Sequence, residues 1–283
     1  TLSLKNHCLL SCLIGYMLKS QRKCSPIEHS ASYQKNRPRQ VPIKLKSVPK
    51  RPVDVYLDSF VDRASASILE HEATMRYVAS RGFSVDDVRR WGLGYTRIAK
   101  IPDNGSDDWD RLKEETYGFK GLESRIIIPL RNILGHVNGV QTRMLDKKQY
   151  KNHMMSEAKS LGAFFGLREA LPRMRETRKV FVHEGAFDAM SFARVFSNSI
   201  AALTSFLSEV QVEMLRFLVD LIVVVFDNDE AGDVGRAKIL KTYGEAGFEF
   251  VVIGDSDANA CLKVMGPDRF SQFIRSRVPV LLH

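Results

Sequence analysis

Residues 222–238, IVVVFDNDEAGDVGRAK, decide the architecture. Five apolar residues, four of them β-branched, run without a polar interruption and stop at Asp227-Asn228-Asp229. A run of this kind suits a strand buried on both faces of a parallel sheet rather than a half-exposed strand of alternating polarity. Helical spacing follows over Asp233–Ala246. Two further runs share this grammar: Val180-Phe181-Val182 leads into His183-Glu184-Gly185, and Phe250–Ile253 leads into Gly254-Asp255-Ser256-Asp257. Helical patterns at Phe187–Phe196 and Ser208–Leu218 separate the strands, and Ser208 with Gln211 fits a capping box. Strand alternating with helix predicts an α/β domain with a parallel sheet and right-handed crossovers.

Each buried run therefore ends in acids, and in open α/β sheets the carboxyl ends of the strands line the ligand crevice. An acid at such a place can also cap the next helix. Glu184 is too long to cap well, and Gly185 behind it permits close approach of a ligand or another backbone. Asp227 and Asp229 stand two apart in a turn and repel each other unless a cation sits between them. Carboxylates clustered without His or Cys select a hard ion, Mg²⁺ or Mn²⁺, rather than zinc, and such an ion completes its coordination with phosphate oxygens. On this reading, replacing Asp227 and Asp229 by Ala abolishes metal chemistry without structural loss.

Upstream the periodicities change. Helical spacing runs from Val53 to Gly94, with Ser84 placed to cap a short helix ending at Trp91-Gly92. Residues 102–110, PDNGSDDWD, read as a surface loop. Arg125–Leu130 and His136–Met144 read as two strands, with Pro129 pushing the first toward a sheet edge or strand end. Lys147–Lys159 reads as a loop, and Phe164–Leu171 as a short helix stopped by Pro172.

With 42 Lys and Arg against 33 Asp and Glu, the 283-residue chain carries a formal charge of +9. Between Lys19 and Arg51 ten basic residues face one acid, Glu28, so this stretch holds the whole excess and the remainder is neutral. It also contains most of the prolines of residues 19–52, which read as a basic Pro/Ser-rich linker after a short helical segment at residues 1–18. Non-specific, salt-sensitive attachment to a polyanion is the expected use of such a tether. The apolar run Cys8–Leu18 is too short to span a membrane. Four cysteines in a chain of this length form no disulfide framework, which suits a reducing interior, and His7, Cys8, Cys12, Cys24 and His29 lack the C-x-x-C spacing of a zinc knuckle.

The strings HEGAFDAMSFA (183–193), AALTSFLSEVQVEMLRFL (201–218) and IVVVFDNDEAGDVGRAK (222–238), followed by Asp257-Ala258-Asn259, resemble the Toprim domain of bacterial DnaG-type and phage DNA primases. Upstream, Tyr77–Gly82, Trp91–Tyr95, Arg125–Leu130 and Gly139–Arg143 resemble successive motifs of the primase RNA-polymerase domain, so the likeness covers roughly residues 55–270. It implies an α/β fold, a Toprim-type parallel-sheet domain with helices on both faces at residues 177–270, preceded by a smaller α+β basic subdomain at 53–176 for template and nucleotide binding, and followed by a C-terminal tail at 271–283. The implied activity is DNA-directed synthesis of short RNA primers by nucleotidyl transfer. Glu184, Asp227 and Asp229 would be catalytic and metal-binding, with Asp188 and Asp257 as outer metal ligands, and Arg125, Arg143, Lys148, Lys151 and Lys159 would bind DNA or nucleotide. The resemblance implies two Mg²⁺ or Mn²⁺ ions, a single-stranded DNA template, ribonucleoside triphosphates and a replicative helicase as partners, no membrane, and a cytoplasmic location, the host's if the chain is phage-encoded; the family's N-terminal zinc module has no recognisable counterpart in these residues, so no zinc is expected in this chain. A Toprim-type nuclease or topoisomerase-like phosphodiesterase, or a catalytically weak template-binding module, are the alternatives; Ala260, where the family has an acid, bears on the last.

Overall fold

The computed structural model describes residues 52–97, 122–147, 149–154, 163–254 and 256–278. The expected N-terminal segment, almost all of the basic linker, the 102–110 loop, Lys148, Lys159 and Asp255 lie outside the described residues. By its contacts the chain divides between Ser47 and Val48, and every described residue belongs to the second unit.

Three helices come first. Helix α1 (Pro52–Glu70) opens on a proline, whose missing N–H costs nothing at a helix start. Helix α2 (Glu72–Ser80) is capped by His71, and α3 (Val85–Trp91) carries a complete capping box between Ser84 and Asp87. Four antiparallel strands follow in the order β1 (Gly94–Thr96), β2 (Arg125–Arg131), β3 (Val137–Met144) and β4 (Tyr150–Met154). Pro129 sits in an interior strand, yet β1 pairs only with residues 125–127, so one side of β2 is already free of the ladder where the proline stands. The register puts Ile126, Arg143 and Tyr150 on one face and Ile127, Thr142 and Lys151 on the other.

The second sheet is parallel, in the order β6-β5-β7-β8, from β5 (Lys179–His183), β6 (Ser199–Ala201), β7 (Leu221–Val225) and β8 (Phe248–Phe250). Strands β5, β6 and β7 are buried on both faces, as their composition requires, and the edge strand β8 is partly exposed. Val180, Val182, Ile222 and Val224 join one core with residues of α4 (Leu167–Thr177), α6 (Glu209–Leu218) and α7 (Glu230–Tyr243). Phe181, Val223 and Val225 join the other with α5 (Ala186–Phe192), α8 (Ala258–Met265) and α9 (Pro267–Arg277). This second core continues into α1 and the antiparallel sheet through Leu57, Phe60 and Ile126. Phe164 and Phe165 tie the sheets together, pairing with Arg131 and Ala201 respectively.

Several elements differ from their sequence reading. The stretch expected as a loop at Lys147–Lys159 holds β4, an edge strand whose backbone ladder with β3 needs no apolar period. The last parallel strand is Phe248–Phe250 rather than Phe250–Ile253, because pairing with β7 ends at Val224–Phe250. Helix α4 runs through Pro172 to Thr177 instead of stopping before it. The proline and Arg168, whose carbonyl loses its helical donor, are both exposed, so water can satisfy that carbonyl. Beyond residue 270, where a tail was expected, α9 continues to Arg277 and buries Phe270 and Ile274.

Candidate active site

The parallel topology brings the ends of β5 and β7 side by side, with His183 paired to Val225. Glu184 and Asp227 leave these ends, the first turn of α5 adds Asp188, and the N-cap of α8 adds Asp257. A small cleft between Asp188, Asp227 and Asp257 is lined also by His183, Phe226 and Ala258.

Crowding shows in the proton affinities. Burial pushes the Glu184 carboxyl up to about 7, and the charges of Asp227 and Asp229 push the same way. One oxygen of Glu184, Oε1, is buried without a hydrogen-bond partner. Burial also raises Asp188 well above the carboxylate range, assisted by the charges of Asp257 and Asp227. Glu184 and Asp188 thus share Asp227 as an acidic neighbour in a desolvated place, an arrangement that a bound cation relieves.

Not every acid points at a ligand. Asp229 caps α7, its Oδ1 accepting from the Gly232 N–H at 2.8 Å, and Asp257 caps α8, its Oδ1 accepting from the Ala260 N–H at 2.6 Å. The expectation that losing Asp227 and Asp229 leaves the fold untouched is therefore corrected for Asp229, whose cap is worth about 1 kcal/mol. Among the described residues no three His, Cys, Asp or Glu side chains already enclose an ion. The caps and the Asn259 N–H, which donates to Asp188 at 2.9 Å, engage Asp229, Asp257 and Asp188, and Asp188 and Asp257 also share a side-chain hydrogen bond. The donor set, oxygen-rich and mutually repelling, still fits a divalent cation.

Arg236 carries no mark in the sequence beyond its place on a helix. It is buried, and its Nη1 donates to the carbonyls of Phe226 and Asp227 at 3.1 and 3.0 Å while Nη2 reaches Asp233. The guanidinium thereby fixes the turn that carries Asp227. Only the short spacing Asp-x-Asp-x₆-Arg could have pointed to it.

Among the described residues, Arg143 is not brought together with Arg125 and Lys151, which share the other face beside His153. Arg143 is 4% exposed, its Cζ 4.5 Å from the Tyr77 ring centroid and 5.3 Å from that of Tyr150. Its Nε donates to the Tyr150 hydroxyl at 2.9 Å. Arg125 and Lys151 lie on the opposite face of the sheet from Arg143, and Arg125 donates to Gln149. Helical, strand and charge patterns do not say which face a residue takes until the register is known.

His183 is fully buried with neither ring nitrogen bonded, and burial lowers its basicity to about 3. His183→Val should raise stability by about 1 kcal/mol, because both orphaned nitrogens disappear and a β-branched residue suits the strand. An unchanged or lower denaturation midpoint would mean that water or an ion satisfies the ring.

A pH dependence follows from Glu184. Its folded proton affinity, about 7, exceeds the ordinary 4.5, so between these values the folded state binds more protons than the unfolded chain. Stability of the metal-free protein should fall as pH rises through that window. Denaturation in EDTA at pH 5 and pH 8 should show this loss, and added Mn²⁺ should reverse it at pH 8.

Residues 181–262 match the Toprim-like family model. The DNA primase of Thermotoga maritima is 28% identical over 196 residues, 62% of this chain and 34% of that protein. The chain spans about a third of the length of this relative. The RNA polymerase domain of Mycobacterium tuberculosis primase DnaG superposes with a TM-score of 0.68 at 19% identity, covering 80% of this chain and 82% of that one. A DnaG primase catalytic domain bound to single-stranded DNA superposes with a TM-score of 0.64 at 19% identity, over 79% and 80% of the two chains. The fold is that of a DnaG-type primase RNA-polymerase domain. In this fold the antiparallel sheet and the Toprim-like sheet are consecutive, and the acids stand at the carboxyl ends of the parallel strands. No helix among the described residues is long and apolar enough to cross a membrane.

Proposed function

We propose that this chain is a DNA-directed RNA polymerase of the primase type, which joins ribonucleotides on a single-stranded DNA template. The observation that carries the reading is the crowding of Glu184, Asp188, Asp227 and Asp257 at the ends of parallel strands in a primase-type fold. Glu184, Asp227 and Asp229, with Asp188 and Asp257 outside them, would hold two Mg²⁺ or Mn²⁺ ions. Such ions, when bound, activate the primer 3′-hydroxyl and neutralise the leaving pyrophosphate.

The residues of the chain supply position and proton transfer. The 3′-oxygen forms a bond to the α-phosphorus of the incoming triphosphate, the bond to the bridging oxygen breaks, and pyrophosphate leaves. Glu184, beside the carboxylates that would hold the ions, accepts the hydroxyl proton. Arg236 keeps Asp227 in place through its carbonyl. Tyr150, 40% exposed and held at its hydroxyl by Arg143, offers a ring on which a template base stacks. The basic stretch at residues 19–51 adds non-specific attachment to the template. A replicative helicase is the expected partner on replicating DNA.

The test is incorporation of labelled ribonucleotides on single-stranded DNA with Mg²⁺ or Mn²⁺. Growing RNA supports the proposal. Shortened template instead would make the chain a nuclease, and retention of DNA with neither product a template-binding module.

A further inference from the structure

Asn259 lies two residues past Asp257, is 1% exposed, and joins distant segments through its backbone N–H and its side-chain amide. Its backbone N–H donates to Asp188 Oδ1 at 2.9 Å. Its Nδ2 donates to the Arg81 carbonyl at 2.9 Å and to Ser191 Oγ at 3.0 Å, and its Oδ1 accepts from Arg81 Nη1 at 3.0 Å. Arg81, at the C-terminal end of α2, is itself held: Nε donates to the Tyr77 hydroxyl at 2.8 Å, and Cζ lies 5.5 Å from the ring centroids of Tyr77 and Phe187. Residues 178 apart in sequence thus form a reciprocal pair, each giving to and taking from the other.

The place of this pair gives it a consequence for the acids. Asp188 is carried by α5, as is Ser191, and Asp257 caps α8, which begins one residue before Asn259. The spacing of the two carboxylates is therefore set where Asn259 joins α8 to α5 and, through Arg81, to α2. An amide is the side chain that fits: it gives two protons to oxygens and takes one from a guanidinium without adding charge. A carboxylate there would face the Arg81 carbonyl and the Ser191 hydroxyl with lone pairs and place a further negative charge beside Asp188, which Asp257 and Asp227 already crowd.

We infer that Asn259 and Arg81 are positioning residues that set the metal affinity of the acidic site by fixing Asp188 against Asp257, an inference that rests on the divalent-ion reading of that site. Neither touches the reacting groups. Removing a partner that orients a ligand typically weakens metal binding by about 10–100-fold.

The measurement is Mn²⁺ binding, by paramagnetic resonance of the free ion, together with thermal denaturation of wild type, Asn259→Ala, Arg81→Ala, the double variant and Arg81→Lys. Asn259→Ala and Arg81→Ala should each weaken Mn²⁺ binding by about tenfold, and the double variant should be no weaker than the poorer single one, since both break the same pair. Arg81→Lys, which keeps a cation able to reach Asn259 Oδ1, should recover part of the affinity. Lower melting temperatures with unchanged Mn²⁺ affinity would overturn the inference and leave the pair purely structural, and multiplicative losses would overturn the claim that the two act together. If wild type itself binds no Mn²⁺, the metal reading of the site falls and this inference with it. Arg81→Ala, at a helix end, keeps the test open should Asn259→Ala fail to fold.

Discussion

Glu184→Gln should reduce ribonucleotide incorporation by about 10³-fold while making the metal-free protein more resistant to denaturation at pH 8. The two effects have one cause. At pH 8 the wild-type carboxyl is ionised in a desolvated place beside Asp227 and Asp229, with Oε1 unbonded, so the charge opposes folding. Gln keeps the shape and removes the charge, and with it the proton acceptor and a metal donor. At pH 5 wild-type Glu184 is already protonated in the fold, so the stability difference should shrink there. Unfolding curves at both pH values, beside the incorporation assay, check the prediction. Equal loss of activity and stability would make Glu184 a structural residue, and full activity would remove it from the site.

Gly232→Ala should destabilise the protein by about 1–3 kcal/mol, although helix propensity by itself favours alanine by about 1 kcal/mol at an interior helical position. Gly232 lies in the first turn of α7, where an added methyl would run into the Asp227 carbonyl oxygen and lie 3.3 Å from Arg236 Nη1. That carbonyl is held by Arg236 and belongs to the residue proposed to bind metal, so it cannot move without moving the acid. The melting temperature should drop by about 2–4 °C for each kcal/mol, and incorporation should fall with it. Val234→Ala on the same helix, at a side chain 61% exposed, is the control and should stay within about 0.5 kcal/mol. A Gly232→Ala protein as stable and active as wild type would mean that the turn around Asp227 has freedom the packing does not suggest.

The sequence alone determined the parallel sheet and the side of it on which the acids lie. Unbroken β-branched runs such as 222–226 are stable only when both faces are covered, and parallel strands joined by crossovers must end on the same side. Glu184 and Asp227 follow those runs directly, so their neighbourhood needed no coordinates. The helix starts at Ser84 and Ser208 were equally legible, because a capping box is local chemistry over four residues.

What the tertiary structure decided depends on partners far apart in the chain. Asp229 and Asp257 read as ligands and serve also as caps. Arg125 and Lys151 read as companions of Arg143 and lie across the sheet from it, because a strand pairing sets the face and charge does not. Arg236 and Asn259 look ordinary in sequence. Their importance comes from burial, which commits their polar atoms to partners elsewhere in the fold, and no local periodicity records which partners those are.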